Sequence, residues 1–266
     1  MVENYRHIEE FRNMYPNEQC PTGEVWIIGG GKSLEDFPKD FFENKTSIAV
    51  NYSIFGFPHI THFLSIHKGP FREVQKKMPE MFKDFRSICA YTMDPNDKAR
   101  GLYENRPLCG AYSYLGDWGT EVMYLRFKHK MVESKEEFKE NAPKILSQEN
   151  CKEPLFCLAR GTTVHMAMQA AIILGAKKIT VVGCETRGDK YRRHAFLGEM
   201  GNYYKKLAEN DPQNYINKYY KDMSLDEKNG GIDWMAQVFK LLGVLIRRYY
   251  FKEGEYGQAG YEEIKD

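Results

Sequence analysis

Val25-Trp26-Ile27-Ile28-Gly29-Gly30-Gly31-Lys32-Ser33-Leu34 runs four apolar residues straight into three glycines. An unbroken apolar run closed by glycine is the pattern of a strand buried on both faces, as in a parallel sheet. Glycines directly after such a strand let the backbone turn sharply and come close to a ligand. Ser33 is placed to cap a following helix, and the N–H groups of a helix start attract phosphate. The stretch therefore reads as a strand–loop–helix unit able to hold a nucleotide. It is not a P-loop, because no glycine stands the required distance upstream of Lys32. Nor is it the G-x-G-x-x-G dinucleotide turn, because position 34 is leucine.

Working outward, 266 residues suffice for one α/β domain with insertions, or for two small domains. A hydrophobic share of 42% can fill a core, which argues against a disordered chain. The formal net charge of +1 supplies no bulk attraction to nucleic acid or an anionic membrane. The six cysteines (Cys20, Cys89, Cys109, Cys151, Cys157, Cys184) show no C-x-x-C spacing. With no long apolar span and no signal peptide, the expectation is a reduced, cytoplasmic protein without a transmembrane segment.

Residues 34–44 read as a short helix interrupted by Pro38, and Ser47–Val50 as a second strand delivering Asn51 at its carboxyl end. In open α/β sheets ligands bind outside those ends. A third strand is expected over His62–Ile66. His59, His62 and His67 match no metal-ligand spacing, so no metal site is assigned. A helix over residues 71–85 and a strand over 86–92 follow. Residues 94–150 read as an insertion or loop, ending in a charged stretch from Lys128 with helical spacing, the pattern of a solvated face.

The second informative unit spans Leu155–Glu185. A short apolar run meets a polar turn, Arg160-Gly161-Thr162-Thr163. An Ala- and Met-rich helix then ends at Gly175, and a buried strand ends at Gly183-Cys184-Glu185. The helix start, with its hydroxyls and N–H groups, and Glu185 come to one sheet edge. His165, inside the first helical turn, reads as a packing or hydrogen-bonding residue rather than a catalytic one. After Glu185 stand Arg187, Asp189, Lys190, Tyr191, Arg192, Arg193 and His194, a segment dense in phosphate- and carboxylate-binding side chains, with His194 able to act as a base near neutrality. Residues 203–230 read as a helix-loop lid. A last helix runs from Gly230 into a strand at Val244–Ile246, and the tail from Lys252 reads as polar and frayed.

The glycine turn, the strand ending at Asn51 and the 160–185 unit, in that order, resemble a Rossmann-like group. It contains bacterial CMP-sialic-acid-dependent sialyltransferases, motility-associated flagellin glycosyltransferases and an archaeal hydroxymethylpterin pyrophosphokinase. The resemblance covers residues 24–66 and 156–190. It implies a mostly parallel sheet flanked by helices, in one domain over 1–266, with 94–150 inserted and 203–230 a C-terminal helical lid. It implies nucleotide contacts from Gly29, Gly30, Gly31, Ser33, Asn51, Gly161, Thr162 and Thr163. Lys32 stands where the group has proline, which brings a charge to the phosphate. Glu185 stands where the group has aspartate. No histidine lies near Asn229–Asp233, where the sialyltransferases carry their base, and this leaves His194, Glu185 or Asp189 as substitutes.

The expectation is a glycosyltransferase that takes a nucleotide-activated sugar, a CMP-sugar favoured, to a hydroxyl acceptor on a glycan, a protein or a modified nucleobase. Arg192 and Arg193 would neutralise the leaving nucleotide, and no cofactor would be needed. Two alternatives stay open. One is pyrophosphoryl transfer from ATP with Mg²⁺ held by Glu185 and Asp189. The other is a non-catalytic nucleotide-binding protein. A homo-oligomer is compatible with either.

Overall fold

The structure is a computed structural model that describes residues 22–65, 68–79, 86–93, 112–115, 120–131, 136, 155–157, 163–184, 205–206, 209–213, 232, 235–237, 239–240, 243–251 and 259–263. In chain order the strands are β1 (Glu24–Ile28), β2 (Ser47–Val50), β3 (His62–Ser65), β4 (Arg86–Met93), β5 (Tyr112–Leu115), β6 (Thr120–Met131), β7 (Leu155–Cys157), β8 (Lys178–Val182), β9 (Leu245–Phe251) and β10 (Ala259–Glu263). The helices are α1 (Lys68–Lys77) and α2 (Thr163–Ile173), and 3-10 turns cover Lys32–Asp36 and Asn51–Gly56.

All these strands join one sheet, in the order β10-β9-β8-β1-β2-β3-β4-β6-β5, with β7 also on β6. Every pair from β9 to β6 along that path is parallel, and so is β6 with β7. Only β5 on β6 and β10 on β9 run antiparallel. The fold is thus α/β with a parallel centre. The chain lays β1 to β4 outward in one direction, then returns to place β8 on the other flank of β1. The carboxyl ends of β1, β2, β3 and β8 consequently share one edge, and the order reverses between β1 and β8, where such sheets open a crevice.

Burial explains why these four strands are central. Val25, Ile27, Ile28, Ile48, Ala49, Phe63, Leu64 and Ile179 have no exposed surface, on both faces of the pleat. On one face Trp26 and Ile28 join Leu34, Phe37, Phe42, Phe57 and Phe63 in an aromatic-rich cluster. Trp26 meets Phe41, Phe42 and Tyr249 edge-on, at 5.5, 6.2 and 5.2 Å between centroids. Helix α2 lies against β1, β2 and β3. Met166, Ala167, Met168, Ala170, Ala171 and Ile172 are all buried, so the helix is covered all round. It ends as expected at Gly175, whose φ of 93° lets Ala176 N–H reach Ala171 O and Gly175 N–H reach Ile172 O, a Schellman cap.

Several expectations are corrected. The stretch after the glycines is not an α-helix but a 3-10 turn over Lys32–Asp36 followed by further turns. Its N-cap is Gly31, so Ser33 lies inside the turn rather than capping it. Tyr112–Leu115, read as part of a loop, is strand β5, and the Lys128–Met131 end of the charged stretch belongs to strand β6, not to a helical face. The sheet accepts both because β5 and β7 share the far edge of the long strand β6. The last strand runs on to Phe251, and part of the tail, Ala259–Glu263, pairs with it. Register sets Glu262 opposite Arg248 and Glu263 opposite Arg247. Among the described residues no helix is long and apolar enough to cross a membrane.

Candidate functional site

The carboxyl edge of β1, β2, β3 and β8 is built by short turns that follow buried strands. After β1, Gly29 is buried and its N–H donates to Val182 O at 2.8 Å, while Gly31 N–H donates to Gly183 O at 2.7 Å. The turns leaving β1 and β8 are therefore tied together by backbone. A Cβ on Gly29 would sit 2.4 Å from Gly183 O and 2.5 Å from Cys184 Sγ. A Cβ on Gly183, at φ +63°, would meet Leu34 Cγ at 2.6 Å. The two glycines let one turn seat in the other, and Leu34 closes over the junction. The N–H groups of Gly29 and Gly31 are thus engaged by the protein itself. Gly30 and Lys32 are the exposed members of the turn, and Gly31 and Ser33 are part-exposed.

One strand over, β2 hands on to Asn51, which takes φ 55°. Left-handed backbone is rare outside glycine, and asparagine is among the side chains that tolerate it best. The part-exposed Asn51 amide joins three elements. Ser65 Oγ, at the end of β3, donates to Oδ1 at 2.8 Å, and Nδ2 donates to Thr163 Oγ1, at the start of α2, over a longer 3.4 Å. This contact spans 112 positions of sequence and brings two separately read motifs into one place. Asparagine N–H and threonine O–H are donors suited to phosphate and ribose oxygens.

Ser53 stands beneath Asn51. Its Oγ accepts from Val50 N–H at 2.9 Å and donates to Ile28 O at 2.8 Å, with Val50 O at 3.0 Å as the alternative acceptor of the same proton. At the opposite sheet edge, Glu24 of β1 pairs with Lys178 of β8 at 2.9 Å, a structural contact remote from the site.

The structure thus brings together Gly29, Gly30, Gly31, Lys32, Ser33, Asn51 and Thr163 from the sequence-derived set. Gly161, Thr162, Glu185, Asp189, Arg192, Arg193 and His194 lie outside the described residues, as does most of 94–150. Of the 203–230 segment, Lys205, Lys206 and Glu209–Gln213 are described, and all are exposed. His165 is fully buried in α2, as expected of a packing residue. His62 is 3% exposed on β3 and His59 is exposed. Among the described residues no His, Cys, Asp and Glu group is arranged to hold a metal.

Sequence reading gave no role to Ser65, Ser53 or Cys184. Ser65 shows itself only through the register, which pairs Val50 with Leu64 and so sets the next residues, Asn51 and Ser65, side by side. Ser53 had no signal, because a serine three residues past a strand end is ordinary turn chemistry. Comparison of the chain with protein-family models, with curated proteins and with solved structures finds no match.

Proposed function

We propose that this protein is a Rossmann-like glycosyltransferase that moves a sugar from a nucleotide donor, a CMP-sugar favoured, to a hydroxyl acceptor. The observation that carries the reading is the Asn51–Thr163 contact beside the glycine turn. It gathers hydrogen-bond donors from β2, from a helix start and from the β1 turn at the edge where α/β sheets take nucleotides. In this reading Gly30, Lys32 and Asn51 face the nucleotide, and the turn over Gly161–Thr163 takes the phosphate. Arg192 and Arg193 neutralise the departing CMP, with residues 203–230 as lid and 94–150 as an acceptor-side insertion.

The reaction needs few parts. A base, His194 in this reading with Glu185 or Asp189 as substitutes, takes the proton of the acceptor hydroxyl. The acceptor oxygen bonds to the anomeric carbon. The bond from that carbon to the phosphate oxygen breaks, and CMP leaves with the electron pair. Fixed donors around that phosphate supply the largest share of rate enhancement, because they need no reorganisation as charge develops.

A thermal-shift screen of CMP, CDP, UDP, GDP and ATP, each with and without Mg²⁺, tests the proposal. Ligand at about a hundred times its dissociation constant adds roughly 2.7 kcal/mol of stability, a shift of several degrees. Stabilisation by CMP or CDP without metal is the expected result. A shift with ATP and Mg²⁺ alone moves the assignment to pyrophosphoryl transfer. No shift with any nucleotide overturns it.

A further inference from the structure

We infer that Ser53 is the positioning residue of the nucleotide edge, holding Asn51 in its left-handed conformation and registering it against the glycine turn. The inference rests on the nucleotide-binding reading of that edge and goes beyond it by assigning a residue that touches no ligand. Ser53 is 2% exposed, so it cannot itself meet a nucleotide. Its hydroxyl bridges the two strand ends that carry the site. One bond reaches Ile28 O, the last residue of β1 before the glycines, and another receives Val50 N–H, the last residue of β2 before Asn51.

The geometry explains why such a bridge is needed. An L-residue at φ 55° relaxes toward negative φ unless its surroundings hold it. Val50 N–H and Ser53 Oγ close a ring around Asn51 and Tyr52, the reciprocal arm of a capping box without its other half, since Val50 has no side-chain acceptor. Buried at both ends, this ring fixes the direction in which Asn51 leaves β2. Ser65 and Thr163 then set the amide within that fixed backbone. Alanine at 53 would leave Val50 N–H and Ile28 O without this partner, and Asn51 would lose the clamp that opposes its relaxation.

The test is a double-mutant cycle, S53A, N51G and S53A/N51G, read by CMP dissociation constants from calorimetry. If Ser53 acts through Asn51, S53A weakens CMP about tenfold, the size of coupling between touching groups, and adds no loss in the N51G background. Unchanged affinity, or the same loss in both backgrounds, overturns the inference. Should S53A fail to fold, Ser53→Cys repeats the cycle with a similar shape and a weaker hydrogen-bonding atom. Hydrogen exchange of the ligand-free proteins separates this inference from the reading beneath it. If the unaltered protein binds no CMP, the nucleotide reading fails. Faster exchange over 50–55 in S53A, with the β8 amides unchanged, then still supports the clamp, and unchanged exchange over 50–55 removes it.

Discussion

Asn51, between Ser65 and Thr163, holds a conformation that costs an ordinary L-residue about 1–2 kcal/mol. Glycine accepts the same φ without that cost, whereas alanine does not. We therefore expect N51A to be less stable than N51G by about 1 kcal/mol in denaturant unfolding. Equal stability of the two would mean that the left-handed backbone is not populated in solution. His194 carries the second prediction at this scale. Under the proposed transfer, with His194 as the base, its replacement by alanine should lower turnover by roughly a hundred- to ten-thousandfold. Turnover within a factor of two of the unaltered protein would exclude His194 from the proposed mechanism.

At the scale of elements, the glycines sort by what surrounds them. Gly175 and Gly243 both end helical segments with positive φ, and a Cβ on either meets nothing within 4 Å. Gly243 repeats the Schellman pattern, with Val244 N–H on Phe239 O and Gly243 N–H on Lys240 O. Alanine at either position should cost only the backbone term, about 1 kcal/mol. Gly29 differs, because its Cβ would drive into Gly183 O and Cys184 Sγ and part the β1 and β8 turns. G29A should lower the melting temperature well beyond G175A or G243A, and a melting curve for each variant ranks them. A G29A protein as stable as G175A would show that the two turns are not interlocked. The helix ends were readable from sequence, because a glycine after an Ala-rich run has one usual meaning. The 3-10 turn at Lys32–Asp36 was not, because Pro38 and the aromatic residues around it commit the segment to packing on Trp26, Tyr249 and Phe251 rather than to an α-helix.

At the scale of the whole molecule, stability concentrates in the middle of the sheet. β1, β2, β3 and β8 are buried on both faces, while β10 lies at one end of the strand order and β5 at the other. Amides of the four central strands should exchange only through global unfolding, and those of β10 and β5 through local fraying many times faster. Hydrogen-exchange mass spectrometry reads this directly. Uniform protection across the sheet would contradict it.

Sequence alone determined the central strands, the buried helix α2 and the edge on which glycine turns and Asn51 emerge. Those follow from local signals: continuous apolar runs, glycine after a run, an Ala-rich helix with its stop. Which groups meet at that edge was a tertiary decision. Asn51 reaches Thr163 across the fold, Gly29 gives up its side-chain space to Gly183 and Cys184, and Ser53 ties β1 to β2. Strand order, and with it the antiparallel places of β5 and β10, was also decided in three dimensions. The physical reason is the range of the forces. Periodicity and turn chemistry act over a few neighbouring residues and leave their mark in the local sequence. A hydrogen bond or a missing Cβ acts on whatever the packed chain brings within a few ångströms, and no short window of sequence records that partner.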